Sequence, residues 1–284
     1  MDYFELAGGT IIGREHYQSK FNNQDAFSIT SKQDLIVAFV CDGCGDKTTS
    51  GFSEVGAHIG SQLLTLATIK AARRYLKRPH LLEKNSFSFW EQIRQEVLMS
   101  IRFLCQQMGE DMTDMVIKYF LFTAVGVLIT PEVAQFVSIG DGVMIINNQE
   151  LQIGPFPDNM PPYLGYALVP STIDPELLKF QLQISLPTAD LESFLIGCDG
   201  VVDLINAENL EVPTNKKVVG PISQFWTEDL FFNNPLSLTR RLTVINRDRS
   251  TLDLAQGKIN QQSGLLRDDT TLVVGRRKET PEDA

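Results

Sequence analysis

Leu35-Ile36-Val37-Ala38-Phe39-Val40-Cys41-Asp42-Gly43-Cys44-Gly45-Asp46 passes from an unbroken apolar, β-branched stretch straight into acids and glycines. Such a stretch predicts a buried strand, and its end predicts a loop carrying Asp42. Ala26 to Thr30 precedes it across Ser31-Lys32-Gln33-Asp34, whose residue types favour a turn, so a hairpin flanked by Asp25 and Asp42 is expected. The same sequence of events recurs where Val133 to Ile139 meets Gly140-Asp141-Gly142, and where Phe194 to Gly197 meets Cys198-Asp199-Gly200-Val201-Val202-Asp203. In Arg267-Asp268-Asp269-Thr270-Thr271 the order is reversed, and the acids precede a strand expected over Thr271 to Gly275. With Asn23-Gln24-Asp25-Ala26 these are five acidic motifs at strand ends, which a rigid scaffold can bring together.

The intervening sequence defines the scaffold. Tyr3 to Gly13 is β-like, with a bend expected at Gly8-Gly9. After Gly51, Val55, Ile59, Leu63, Leu66 and Ile69 recur at helical spacing, with Ser53 placed as N-cap and Glu54 in the first turn. A second helix is expected from Phe89 to Met108, with an apolar face of Ile93, Val97, Ile101, Leu104 and Met108. Tyr119 to Ile129, Val133 to Ile139 and Val143 to Asn147 then read as a three-strand meander. Gly154 to Pro175, rich in Pro, Gly and Asn, is expected to be a surface excursion or flap over a site, followed by a strand at Phe180 to Leu186. Helices are expected over Gln224 to Phe232 and Leu236 to Val244. Strands, helices, strands, helices and a last strand indicate an α+β protein with antiparallel sheets, not a doubly wound parallel sheet. Neither G-x-G-x-x-G nor G-x-x-x-x-G-K-[ST] occurs, which removes dinucleotide-binding and kinase readings.

A chain of 284 residues supports one large domain, expected over residues 1–278 with a polar tail at 279–284. Hydrophobic content of 43% and charged content of 21% exclude a disordered or fibrous protein. A net charge of -10 argues against a nucleic-acid partner, which needs clustered cations. The N-terminus lacks the pattern of a signal peptide, and the longest apolar stretch, Tyr119 to Ile129, is too short to span a membrane. A cytoplasmic protein without a membrane partner is expected. Four Cys residues are too few for a disulfide framework, and Cys41-x-x-Cys44 has no second pair, with His16, His58 and His80 scattered. Buried thiols are the simpler reading.

Asp is a hard oxygen ligand held close to the backbone, and a following Gly lets the chain turn and present a carbonyl, a donor set suited to Mg²⁺ or Mn²⁺. Any one Asp-Gly is equally a hairpin turn signal. Together the motifs say more, because Asp42, Asp199 and Asp268 each border a buried strand, where acids are rare unless paired or metal-bound. A twelve-residue Ca²⁺ loop is absent, and so is the close acid pair of aspartyl phosphohydrolases, since three residues separate Asp42 from Asp46.

Taken in order, Asn23-Gln24-Asp25-Ala26, Asp42-Gly43-x-Gly45, Thr123-Ala124, Gly140-Asp141, Cys198 to Asp203 and Asp268-Asp269-Thr270-Thr271 resemble the metal-dependent Ser/Thr protein phosphatases. This is the PPM type, also called protein phosphatase 2C, and the compact bacterial members in particular. The resemblance runs from about Gly13 to Arg276. It implies a four-layer α-β-β-α sandwich with two central antiparallel sheets and a binuclear Mn²⁺/Mg²⁺ centre between them. It implies that Asp42 bridges both ions with the Gly43 carbonyl on one of them, and that Asp199 and Asp268 hold the other. Asp25 would orient water, Asp141 with Asp199 would hold a third ion, and Asp269 and Asp203 would stand behind these ligands. The implied partner is a phosphorylated protein. Two positions depart from the pattern: Lys20 stands where many members carry a phosphate-binding Arg, and Cys44 where eukaryotic members often carry His. Lys supplies charge without a bidentate fork. Arg14 and His16, just upstream, are further candidates for lining the pocket. Lys20 and Cys44 also keep open a non-catalytic module that binds phosphoproteins or regulates a partner.

Overall fold

The computed structural model describes residues 3–278 except 33, 45–50, 77–81, 83, 110, 158–159 and 255–256, so Gln33, Gly45, Asp46, His80 and the expected polar tail lie outside the described residues. The chain begins with β1 (Phe4–Ile11), α1 (Arg14–Ser19), β2 (Asp25–Lys32) and β3 (Leu35–Gly43), then α2 (Ser53–Ala72), α3 (Ser86–Met108) and α4 (Met112–Tyr119). Next come β4 (Phe122–Ile129), β5 (Val133–Ile139), β6 (Gly142–Ile146), β7 (Gln149–Ile153), β8 (Gln181–Pro187) and β9 (Ser193–Gly197). Four short helices follow: α5 (Val201–Asn206), α6 (Gln224–Thr227), α7 (Leu230–Asn233) and α8 (Ser237–Ile245). The described chain ends with β10 (Arg249–Asp253), β11 (Lys258–Gln262) and β12 (Thr270–Arg277).

Two five-stranded antiparallel sheets result, ordered β2-β3-β4-β5-β8 and β1-β12-β9-β6-β7, while β10 and β11 pair only with each other. β3 shows why the sheets stack. Ile36, Ala38 and Val40 join the core shared with β6, β9 and β12 of the other sheet. Leu35, Val37, Phe39 and Cys41 point the other way, into a core built with α2, α3 and α4. Alternate residues of one apolar strand thus serve two hydrophobic layers, which is what a continuous rather than alternating apolar run encodes. On the far side, α8 covers β1 through Leu238, Leu242 and Ile245. The layers are helix, sheet, sheet, helix. No helix among the described residues is long and apolar enough to cross a membrane.

Several local expectations are corrected by packing. Gly8-Gly9 does not bend: both lie inside β1, opposite Val273 and Leu272 of β12. They are glycines because a Cβ on Gly8 would sit 2.5 Å from the Phe27 ring and one on Gly9 2.4 Å from Leu238. Gly9→Ala is therefore expected to cost about 1–3 kcal/mol through overpacking, read as a lower thermal midpoint. Ser53 is the first helical residue of α2, not its N-cap. That place belongs to Phe52, which makes no side-chain cap. Phe52 instead stacks on Tyr119 and donates its N–H to Lys118 O, so the helix start is set by docking on α4.

The strand expected from Tyr119 begins at Phe122, because Asp111 caps a helix before it by accepting the Asp114 N–H at 3.0 Å. The meander is also broken. β4 and β5 pair, but β6 crosses to the other sheet through Gly140 (φ 81°) and Gly142 (φ 146°). Both angles lie where glycine is favoured. The Gly154 to Pro175 stretch is a surface excursion only in part, since residues 161–165 are buried. Tyr163 and Leu164 join the core beside α2, α3 and α4.

Candidate active site

The β2–β3 register sets Asp25 directly opposite Asp42, and the β3–β4 register sets Asp42 opposite Thr123. Asp199 leaves the end of β9 and Asp268 precedes β12, and these two strands are paired neighbours in the other sheet. Asp141 sits in the crossover between the sheets. Acids far apart in sequence thus emerge from strand ends of both sheets at one place. Gly43 is required there because a Cβ would lie 2.5 Å from Ser53 O and 2.8 Å from Gln24 O.

The carboxylates act on one another. Asp42 is pushed well above the ordinary range, first by burial and then by Asp25, Asp199, Asp268 and Asp141. Burial, then the charge of Asp269, raises Asp25 to about 8, and the nearby Cys198 and Thr271 side chains offset only part of this. Burial, then Asp199, raises Asp141 to about 6. Asp199 is raised by burial, against which a hydrogen bond shared with Asp42 works. Depth is graded: Asp25 and Asp141 are buried, Asp42 and Asp199 half-buried, and Asp268 exposed at the mouth.

Asp25 lies at the floor, and neither of its carboxylate oxygens accepts a well-formed hydrogen bond. A buried carboxylate so poorly supplied with donors, facing four more carboxylates, is unfavourable unless protons or cations join it. Hard, clustered oxygen donors of this kind fit Mn²⁺ or Mg²⁺.

The remaining acids hold the cluster in place. Asp269 Oδ1 accepts the Gly13 N–H at 2.6 Å and its Oδ2 the Gln24 N–H at 2.5 Å, tying the start of β12 to both ends of the α1 segment. Asp203 accepts the Arg267 N–H at 2.9 Å and so fixes the turn that presents Asp268. Asn23 braces the first motif: its Oδ1 accepts the Asp25 N–H at 3.0 Å, and its Nδ2 donates to Thr10 Oγ1 at 2.7 Å. Thr10 Oγ1 in turn lies 2.6 Å from Thr271 Oγ1.

His16 Nδ1 lies 3.0 Å from Asp269 Oδ2 and 3.7 Å from Asp268 Oδ1, as an ion pair without an aligned hydrogen bond. Asp269 holds its imidazole above the usual pKa. These three side chains form a group with ligand atoms within 4.8 Å of one another. Asp269, however, is already used by two backbone donors. Arg14 is directed elsewhere, its Nη1 donating to Gly264 O at 3.0 Å. Lys20 caps the C-terminal end of α1 with φ 61° and is exposed. Its charge is not among the main ones felt by the carboxylates.

Tyr163 is the residue that sequence reasoning missed. Buried in the middle of the excursion, it hydrogen-bonds the Cys44 side chain and feels both Asp42 and Asp141, and burial raises its pKa first. One of three aromatics in a Pro- and Gly-rich stretch, beside Phe156 and Tyr166, it carries no local signal for this contact.

Burial, then Asp25, raises the thiols of Cys41 and Cys198 well above their ordinary value. Cys198 Sγ also accepts the Thr271 N–H at 3.1 Å. Since the thiolate is the reactive form, native Cys41 and Cys198 are expected to resist iodoacetamide under conditions that alkylate both in the unfolded chain. Mass spectrometry of the labelled protein distinguishes the two states, and half-buried Cys44 should label first.

Two facing antiparallel sheets between helices, with acids converging from the strand ends of both, define the PPM-type phosphatase sandwich. A family model described as protein phosphatase 2C matches residues 12–229, and the chain belongs to that family. The match includes Asp25, Asp42, Asp141 and Asp199, while Asp268 and Asp269 lie beyond it. The fold is similar to that of serine-threonine phosphatase 2C from Toxoplasma gondii, with TM-score 0.57 and 12% identity, covering 97% of this chain and 95% of that one. A single-residue variant of a bacterial serine phosphatase aligns with TM-score 0.53 and 15% identity over 97% of this chain and 99% of its own. The Mycobacterium tuberculosis serine/threonine phosphatase PstP/Ppp aligns with TM-score 0.50 and 13% identity over 98% and 100%. No curated protein sequence matches the chain.

Proposed function

We propose that the protein is a Mn²⁺- or Mg²⁺-dependent phosphatase that hydrolyses phosphoserine and phosphothreonine monoesters in cytoplasmic proteins. The observation that carries this reading is the buried Asp25 carboxylate, without a well-formed hydrogen bond, among four further acids at strand ends. Asp42, with the Gly43 carbonyl, and Asp199 with Asp268 would hold two ions, and Asp141 with Asp199 a third. Cations so held supply Lewis acidity toward phosphoryl oxygens and lower the pKa of water.

The chain's own residues do the rest. Asp25, buried with both oxygens free of well-formed hydrogen bonds, would orient the attacking water. Asp269 and Asn23 keep that carboxylate in position through the backbone of residues 13, 24 and 25. Lys20, exposed at the C-terminal end of α1, would offer a single positive charge to the phosphoryl group of an arriving substrate.

Hydrolysis of para-nitrophenyl phosphate with Mn²⁺, with Mg²⁺ and with EDTA tests the proposal. Turnover that needs the cation is expected. Turnover that persists in EDTA would overturn the metal dependence, and no turnover together with no Mn²⁺ binding by calorimetry would overturn the proposal in favour of a non-catalytic module.

A further inference from the structure

The β10–β11 hairpin is the part of the described structure that packing accounts for least. All of β11 is exposed, and β10 is exposed except at its ends. Leu252 and Ile259 stand directly opposite each other at 61% and 71% exposure, and Leu254 beyond them reaches 85%. A two-stranded hairpin with both faces in water is marginal by itself, and apolar side chains kept together in solvent mark an interaction surface. Both outer edges present backbone donors and acceptors that no other described strand uses, a template for an added strand.

Charge indicates what would be added. On a chain of net charge -10, Lys217, Arg247 and Lys258 are exposed together here. Three acids lie among these cations: Asp248 accepts the Gly264 N–H, Glu211 lies 3.9 Å from Lys216, and Asp253 stands opposite Lys258 in the hairpin, while Lys216, Lys217, Arg247, Arg249 and Lys258 leave the surface cationic. Lys216 Nζ donates to Gln262 at 2.9 Å and Arg249 to Pro213 O at 3.2 Å, so the 211–218 turn and the hairpin form one surface. A short stretch of chain connects that surface to the site. From Gln262 the chain passes Gly264, held by Arg14, to Asp268 at the mouth. Six residues span at most about 20 Å.

Building on the phosphatase reading, we propose that the hairpin and the 211–218 turn dock an acidic, extended segment of the phosphoprotein substrate. The segment lies along the hairpin edge, its carboxylates meeting Lys217, Arg247 and Lys258 and an apolar side chain covering Leu252 and Ile259. A phosphorylated residue a few positions away then reaches the acid cluster.

The test compares phosphocasein, an acidic phosphoprotein, with para-nitrophenyl phosphate, for wild type, Leu252→Ser/Ile259→Ser and Lys217→Glu/Arg247→Glu/Lys258→Glu. Each variant is expected to lose about tenfold in kcat/KM toward phosphocasein, through KM, with aryl phosphate hydrolysis unchanged. Fluorescence anisotropy of labelled phosphocasein in EDTA should show about tenfold weaker binding by both variants, a readout independent of turnover. Unaltered phosphocasein binding and hydrolysis in both variants would overturn the proposal. So would a wild-type dimer that Leu252→Ser/Ile259→Ser dissolves without affecting phosphocasein, which assigns the surface to a second copy. Absence of Mn²⁺-dependent turnover with normal anisotropy results would instead count against the phosphatase reading alone.

Discussion

Asp42→Asn is expected to lower Mn²⁺-dependent kcat on an aryl phosphate by about a thousandfold or more, and at the same time to raise the melting temperature of the metal-free protein. Loss of activity follows from removing the acid on which four others converge. The gain in stability follows from the same fact. Without cations, Asp42 is a half-buried carboxylate opposed by Asp25, Asp199, Asp268 and Asp141, so an isosteric neutral amide relieves repulsion while filling the same space. A rise of a few degrees in EDTA is expected, with weaker Mn²⁺ binding by calorimetry. The opposite pattern, retained turnover with a lowered metal-free midpoint, would make Asp42 a structural residue and end its assignment as a metal ligand. Asp203→Asn serves as the contrast. It weakens only the Arg267 turn and should leave a substantial part of the activity.

Stabilisation by Mn²⁺ is expected to grow steeply between pH 5 and pH 8, because the metal-free protein changes in the opposite direction. Asp25 at about 8 and Asp141 at about 6 are both raised above the value of 3.8 that an unperturbed Asp has. The folded chain therefore holds more protons than the unfolded one across that range, and stability falls as pH rises from about 4 toward 8. Cations replace those protons. At a hundredfold excess over Kd they add about 2.7 kcal/mol, and their affinity increases as protons leave. Melting curves at pH 5 and pH 8, with Mn²⁺ and with EDTA, should show a small difference at the lower pH and a large one at the higher. A metal-free midpoint that rises with pH would show that the acids are stabilised by protein donors, contrary to the unsatisfied oxygens of Asp25.

Recognition in the sequence succeeded wherever the signal was local. β3 was legible because a nine-residue strand with no polar side chain before Asp42 has few alternatives to burial on both faces. The spacing located α2 and α3 but not the face that α2 buries: Gly56, Ala57, Gly60, Leu64 and Ile69 pack inward, whereas Leu66 is exposed and Val55, Ile59 and Leu63 are half-buried, and Met108 of α3 is exposed. Ser53 was misassigned as a cap because its neighbour Phe52 finds a partner on α4, more than sixty residues away. The exposed strands β7, β10 and β11 carry too little apolar pattern to announce themselves. Among site residues, Asp199 and Asp268 were visible as acids at the ends of buried strands. Arg14 was misleading because nothing local reveals that its guanidinium is occupied by the carbonyl of Gly264, 250 residues on.

The positions of the buried strands, the two long helices, and the placement of acids at strand ends were determined by the sequence alone, because residue periodicity and turn chemistry act over a few neighbours. Tertiary structure decided that β6 leaves β5 for the other sheet, that Asp269 serves backbone donors at Gly13 and Gln24, and that Tyr163 reaches Cys44. Each of these depends on burial and hydrogen bonding between segments distant in the chain, whose free energies exist only once the two sheets have met.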